Sequence, residues 1–267
     1  MKKNIVLVIL FFNILFFTHN ALWYNLKDNF SYIKELFLKT DIYKDYIKFT
    51  NFSAIWDKSI FLKTKIENKL QEKNLSCELN TASLFVNYFS SKKYSEDDLY
   101  QLINKNDSKI ILKWDKYIWG DPNTEFVWDI NWNQSKNIKY LNWYWVYAWP
   151  INSVINKIWI NSKITKFDQN IIINSLANNK PVIFWYLSKN NSWIINDEKI
   201  VWYTTDWKII DWYVWEHTAL IVWVDLDENL NINKLYYFEW KNLKLQVSNF
   251  KDISYQASFF DMMIYEE

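Results

Sequence analysis

The chain has no arginine, a single glycine (Gly120), three prolines and one cysteine (Cys77) in 267 residues. A lone cysteine excludes an internal disulfide and any zinc site built from a cysteine cluster. Charge of one sign is also missing, because 31 basic residues, all lysine, stand against 30 acidic ones. That balance supplies no broad positive field, so nucleic acid is not the expected partner. No internal repeat is present. The longest apolar run, Ile5 to Phe17, is too short for a confident membrane span and is interrupted by Asn13.

The shortage of glycine has a counterpart in 18 tryptophans. Average usage puts glycine at roughly 7 % of positions, which is close to the two residue types taken together. Several tryptophans also stand where glycine belongs. Asp206-Trp207 lies between two β-rich runs, where Asp-Gly would make a hairpin turn with positive φ. The run from Asn142 to Pro150 would read as a glycine-punctuated loop if its tryptophans were glycines. The expectation is a gene that uses UGA for glycine and was translated with UGA as tryptophan. The alternative is a chain with genuine tryptophans, for example a carbohydrate-binding surface.

What is present begins with Lys2 and Lys3, the apolar run, and Thr18-His19-Asn20-Ala21. A charged start, a short apolar core and a small residue at the exit describe a secretory signal peptide over 1–21. An uncleaved N-terminal anchor is the alternative, and it is the only membrane association expected. The chain beyond Ala21 is then secreted or in the cell envelope, outside the cytoplasm. Residues 22–58 carry mixed helical spacing and are read as a helical preface; 59–267 form the main domain.

Within that domain, Ile60 to Ile66 alternates like a strand. Cys77 to Phe89 contains no proline or turn residue and places Leu79, Ser83, Val86 and Phe89 near one helical face. Ser95 with Asp98 makes a capping box for a second helix. Trp114 to Pro150 reads as a loop. Asp168 caps a helix that stops before Pro181. Val182 to Leu187 is a short strand, and Ile200–Thr204 with Lys208–Tyr213 make a hairpin. His217 leads into a central strand, Thr218 to Val224, and Leu235 to Phe238 comes back. Helices first and antiparallel strands later is an α+β arrangement.

Cys77 at a helix start has the positive end of the helix dipole beside it, which favours a thiolate. Once the leader is removed, His217 is the only histidine, and it could supply the imidazole that a thiol nucleophile needs. Buried packing roles for either residue are the competing reading, and composition does not choose between them.

The flanking residues add a resemblance. Ser76-Cys77-Glu78-Leu79-Asn80-Thr81-Ala82-Ser83-Leu84 resembles the nucleophile helix of the bacterial double-glycine leader peptidase-like family, also described as bacteriocin-processing peptidase-like, a branch of the papain-like cysteine peptidases. Trp119-Gly120-Asp121-Pro122-Asn123 with Phe126-Val127-Trp128 is similar to that family's loop once Trp128 is read as glycine. Tyr144 to Ile151 and Trp215 to Trp223 match two further motifs under the same exchange. The resemblance covers about 60–265. It implies a papain-like fold, with the nucleophile helix packed on an antiparallel β-sheet, and a cysteine-type peptidase without metal or cofactor. It implies Cys77 as nucleophile and His217 as general base. Gln71, six residues before Cys77, takes the place of the oxyanion donor. Glu239 stands where an Asp or Asn would orient the histidine, which is a departure from the family pattern. The implied partner is a peptide or protein substrate, cell-wall peptide included. A catalytically inactive surface binding domain on the same fold is the rival reading.

Overall fold

The described elements run β1 (Ser59–Phe61), α1 (Cys77–Phe89), α2 (Glu96–Leu102), β2 (Lys105–Asn106), β3 (Ile111–Lys113), β4 (Lys116–Ile118), β5 (Phe126–Val127) and α3 (Ala148–Lys157). They continue with β6 (Ser162–Thr165), α4 (Gln169–Ala177), β7 (Val182–Leu187), β8 (Lys199–Tyr203), β9 (Ile209–Tyr213) and β10 (Glu216–Leu226). The last four are β11 (Ile232–Glu239), β12 (Asn242–Asn249), α5 (Phe250–Ala257) and β13 (Met263–Glu266). This computed structural model describes residues 58–73, 76–127, 146–188, 199–213, 215–239 and 242–267. The leader 1–21 and all of the preface 22–58 except Lys58 lie outside the described residues, as do Trp128, Tyr144 and Trp145.

Seven strands form the main sheet, ordered β12-β11-β10-β7-β13-β6, with β1 pairing to β10 as well. Every pairing in it is antiparallel. β10 is the axis: its first half pairs with β7 and its second half with β1, while β11 runs along its other edge. All six residues of β7 are buried, the pattern of a strand covered on both faces. Alternation sends Ile183 and Trp185 of β7, with Leu220 and Val222 of β10, to a core shared with α1 and α3. Phe184, Tyr186, Ala219 and Ile221 go to the opposite core, which α4 and α5 cover through Ile172, Leu176, Ile253 and Ala257. Past a bulge between Ile221 and Trp223 the parity flips, so that Val224 and Leu226 join the second core. The architecture is α+β, as the order of elements implied.

Helix α1 is buried from Cys77 through Val86, so it is an interior helix rather than an amphipathic one. α2 has the expected capping box, with Ser95 and Asp98 each accepting from the other's backbone N–H. Asp168 caps α4 by accepting from Asn170 N and Ile171 N. Two readings change. The strand expected over Ile60 to Ile66 is only Ser59–Phe61. The segment read as loop from Trp114 to Pro150 contains β4, β5 and the start of α3. Pro150 is the third residue of that helix, where its missing N–H has no intrahelical acceptor to lose.

Nine described residues have positive φ without being glycine, and four of them are tryptophan: Trp114 (51°), Trp159 (68°), Trp207 (66°) and Trp215 (80°). Trp114 and Asp115 form the two-residue link between β3 and β4, both with positive φ as in a type I′ turn. Trp159 follows α3 in a Schellman closure, with Trp159 N donating to Asn156 O and Ile160 N to Ile155 O. Trp207 closes the β8–β9 hairpin on Thr204. A second set of tryptophans behaves differently. Trp119, Trp185 and Trp202 are buried, and the indole N–H groups of Trp119 and Trp202 donate to Ser108 O and Gly120 O at 2.9 and 2.8 Å.

Candidate active site

Cys77 is the first residue of α1, and the chain before it is gathered by one buried carboxylate. Glu96 of α2 accepts from Glu72 N (2.9 Å), from Asn80 Nδ2 (2.9 Å) and from Ser76 Oγ. Glu96 is 3 % exposed, so these donors replace the water it has lost. Gln71 lies in the segment so held. Its amide Nε2 donates to Lys73 O, and its buried Oε1 accepts no hydrogen bond.

The other side of the site is the start of β10. Thr218 Oγ1 meets Thr81 Oγ1 of α1 at 3.1 Å, which docks the first turns of the helix on this strand. The backbone N–H of Thr218 is directed at the Cys77 thiol and favours its ionised form. Stronger influences oppose it. Burial pushes the Cys77 thiol well above its ordinary value, and Glu78 and Glu216 push it further. A thiol shut away from water is costly to ionise.

Glu78 and Glu216 are both 0 % exposed. Each offers a carboxyl oxygen, and together with Cys77 Sγ these atoms lie within 4.8 Å of one another. None of the four carboxyl oxygens has a hydrogen-bond partner in good geometry; the backbone N–H of Glu78 lies near enough to its own carboxyl to favour the ionised form, against the larger effect of burial. What surrounds them is each other and the thiol, and the three form the ligand set that could hold a metal ion among the described residues. Burial raises Glu78 from 4.5 to about 7. Burial and the neighbouring Glu78 raise Glu216 well above the usual carboxyl range.

His217, next in β10, is partly exposed. It pairs across the strands with Tyr186 of β7, the two rings lying 6.3 Å apart between centroids. Tyr186 in turn donates its hydroxyl to Glu239 Oε2 at 2.8 Å. Glu239 is opposite Ala219 in the β10–β11 register, so the tyrosine reaches it across a strand that carries only a methyl group at that position. Burial, and then the charge of Glu239, holds the Tyr186 hydroxyl well above its ordinary value. Tyr186, Tyr237 and Glu239 also line an open cleft of 430 Å³ with Gln246, Asn249 and Asp252.

The Asp121 loop is a structural turn. Asp121 Oδ1 accepts from Asn123 N and Nδ2, and Oδ2 from Lys208 Nζ at 2.7 Å. A Cβ on Gly120 would meet Glu125 Oε1 at 2.8 Å and Asn106 Nδ2 at 2.9 Å, so a side chain there would displace the Asn106–Glu125 hydrogen bond (2.6 Å).

Of the four residues singled out from the sequence, Cys77 and His217 are both brought to the first residues of β10, and Glu239 is tied to the tyrosine beside His217. Gln71 is held in the segment leading to α1. Sequence reading missed Tyr186, Glu96 and the facing of Glu78 with Glu216. The adjacent pairs Cys77-Glu78 and Glu216-His217 were the available signal for the last of these.

No family model matches the chain, and no curated protein matches it. A crystal structure described as a candidate C39-like peptidase from Bacillus anthracis matches with a TM-score of 0.61 and 17 % identity. The match covers 79 % of this chain and 98 % of that one. The chain therefore shares the C39-like peptidase fold, and at this identity the likeness extends to the fold alone. Among the described residues, no helix is long and apolar enough to cross a membrane.

Proposed function

We propose that the protein is an exported cysteine peptidase with Cys77 as nucleophile and His217 as its base. The observation that carries this is the meeting of the α1 N-terminus with the first residues of β10, in a fold shared with a C39-like peptidase. In the reaction, the thiol proton passes to the imidazole and Cys77 Sγ bonds to the substrate carbonyl carbon. Collapse of the tetrahedral intermediate breaks the C–N bond, and the imidazolium protonates the leaving amine. Water, deprotonated by His217, then cleaves the thioester. The backbone N–H of Cys77 and the second amide hydrogen of Gln71 are the oxyanion donors. Glu239 acts on His217 through Tyr186, which suits a carboxylate longer than the expected Asp or Asn. Substrate is a peptide or protein, with cell-wall peptide included, and the leader 1–21 directs export.

Incubation with a broad peptide library tests this. Wild type is expected to cut, and Cys77→Ala to be inactive with an unchanged melting temperature. A Cys77→Ala protein that cuts as well as wild type refutes the assignment. The second reading, a binding domain that has lost catalysis, is favoured by the two acidic neighbours of the thiol, which oppose its ionisation. No cleavage of any peptide together with a thiol no more reactive than a free one would establish it.

The reading also holds that the tryptophans at 114, 159, 207 and 215 are glycines in the native protein, decoded from UGA. Support comes from their positive φ, which for a bulky residue is an outlier. Exposure of 71, 96 and 44 % for Trp114, Trp159 and Trp207 adds to it. Intact mass of the protein from its native source decides. A mass equal to that of the all-tryptophan chain sinks this reading and keeps the carbohydrate-binding alternative alive.

A further inference from the structure

We propose that Cys77, Glu78 and Glu216 form a binding site for a divalent transition-metal ion, zinc first among them, and that the bound ion holds the Cys77 sulfur out of reaction. The silencing rests on the reading of Cys77 as nucleophile; the metal site itself does not.

The three side chains come from two elements that fix them. Cys77 and Glu78 open α1, and Glu216 opens β10. Helix and strand are docked by the Thr81–Thr218 hydroxyl contact at 3.1 Å, and Glu96 holds the first turn of α1 through Ser76 and Asn80. The sulfur and one oxygen from each carboxyl lie within 4.8 Å of one another. Around a tetrahedral zinc, with Zn–S about 2.3 Å and Zn–O about 2.1 Å, such atoms stand about 3.5 Å apart, so a side-chain movement of about 1 Å closes the set on an ion. The carboxyls are also stranded without one. Both are 0 % exposed, and none of their four oxygens has a hydrogen-bond partner in good geometry. Buried carboxyls ordinarily keep such partners or a cation.

No described side chain supplies that cation. The charge acting on Glu216 is that of Glu78, and among the described residues no lysine influences either carboxyl. Tyr147, beside Glu216, gives its hydroxyl to Asp211 O at 3.0 Å, and Tyr186 gives its own to Glu239. His217 follows Glu216 in β10, and strand alternation turns it to the opposite face. A thiolate with two carboxylates is a donor set for zinc; the soft sulfur disfavours magnesium and calcium, which take oxygen shells. Three protein ligands leave a fourth position for water, as in open zinc sites. The backbone N–H of Thr218, directed at the sulfur, supports the thiolate that the ion requires. On binding, the thiol proton leaves to solvent, the sulfur–metal bond forms and no electron is transferred. A sulfur whose electron pair is given to the ion does not attack a carbonyl. The loaded protein is therefore the resting form, and removal of the ion restores the nucleophile.

Because Cys77 is the sole cysteine, a metal–thiolate signal reports on this site alone. The full chain, freed of metal by a chelator, is titrated with Co2+, and the thiolate-to-cobalt charge-transfer band in the near ultraviolet is followed. Zinc retained per chain is then measured after gel filtration. Wild type is expected to show the band and to retain about one zinc. Cys77→Ala is expected to lose the band, and Glu78→Gln and Glu216→Gln to bind zinc at least about 100-fold more weakly. Glu228→Gln, which changes an exposed carboxyl in the β10–β11 turn, is expected to bind as wild type does. Zinc should raise the melting temperature of wild type and of none of the three ligand variants. The same melts check folding, and if one variant fails to fold the others carry the test. No band and no retained zinc in wild type overturns the proposal, as does binding that all three variants keep. Peptide cleavage, with and without chelator, is scored separately. Cleavage that equimolar zinc abolishes and chelator restores bears out the silencing; cleavage unchanged by bound zinc overturns it. A protein that cuts but binds no metal loses this proposal and keeps the peptidase reading. One that binds through these residues and cuts nothing in either condition loses the peptidase reading, and the silencing with it, and keeps the site.

Discussion

Replacing Glu78 by glutamine should change how stability depends on pH. Glu78 has an ordinary value of 4.5 and is raised by burial to about 7 in the folded chain. Between those values the native state keeps a proton that the unfolded chain has released. Stability therefore falls as pH rises from 4.5 to about 7, the sign opposite to that of a salt-bridged carboxylate. At about 1.4 kcal/mol per pH unit, the loss over that window is about 3 kcal/mol. Glu78→Gln has no proton to lose, so its own contribution is flat. The assay is urea unfolding of both proteins at about pH 5 and about pH 8, with the stability difference between the two pH values compared. Any packing cost of the amide is the same at both and cancels. The variant is expected to lose about 3 kcal/mol less than wild type between the two conditions. Parallel behaviour of the two proteins would refute the argument, because it would mean Glu78 ionises in the folded chain as easily as in the unfolded one.

Three further substitutions probe other parts of the structure. Trp159→Gly, at a left-handed position after α3, should stabilise by about 1 kcal/mol by relieving the Cβ clash. Trp202→Gly should destabilise by about 3–5 kcal/mol, since it empties a buried site and leaves Gly120 O without its donor; thermal melts that rank the two alike would show that the tryptophans do not fall into two populations. Glu96→Ala removes the acceptor of three hydrogen bonds around the start of α1, with an expected loss of about 3 kcal/mol. Hydrogen exchange should show the freed amide of Glu72 exchanging near the rate of an open loop, and unchanged protection there would contradict the assignment.

Much of the architecture was legible because it rests on local signals. α1 begins at Cys77 and ends at Phe89 as its uninterrupted run implied, and the caps Ser95 and Asp168 work through neighbours within three residues. β7 was found with its bounds intact because a six-residue apolar run bounded by Pro181 has one reading. α3 was not found, since Pro150 stops a helix in its interior but not in its first turn, and sequence alone did not say which applied. The order of strands around β10 was not legible either, because sheet pairing is decided by contacts between distant segments.

Sequence by itself determined that one thiol and, apart from His19 near the start of the chain, one imidazole were available for chemistry. It also determined that glycine was missing where turns need it. Tertiary structure decided what those facts amount to. It turned four tryptophans onto backbone that a side chain strains, and buried three others, two of them, Trp119 and Trp202, with their indole N–H groups hydrogen-bonded. It brought the start of α1 against the start of β10, joining Cys77 to a segment about 140 residues away. It also set Glu78 opposite Glu216. Adjacent residues in a strand face opposite ways, and a helix contributes whichever residue its first turn points inward. No local pattern therefore announces that two carboxyls will meet beside a thiol; the packing of helix on sheet alone puts them there, and burial gives the meeting its electrostatic consequence.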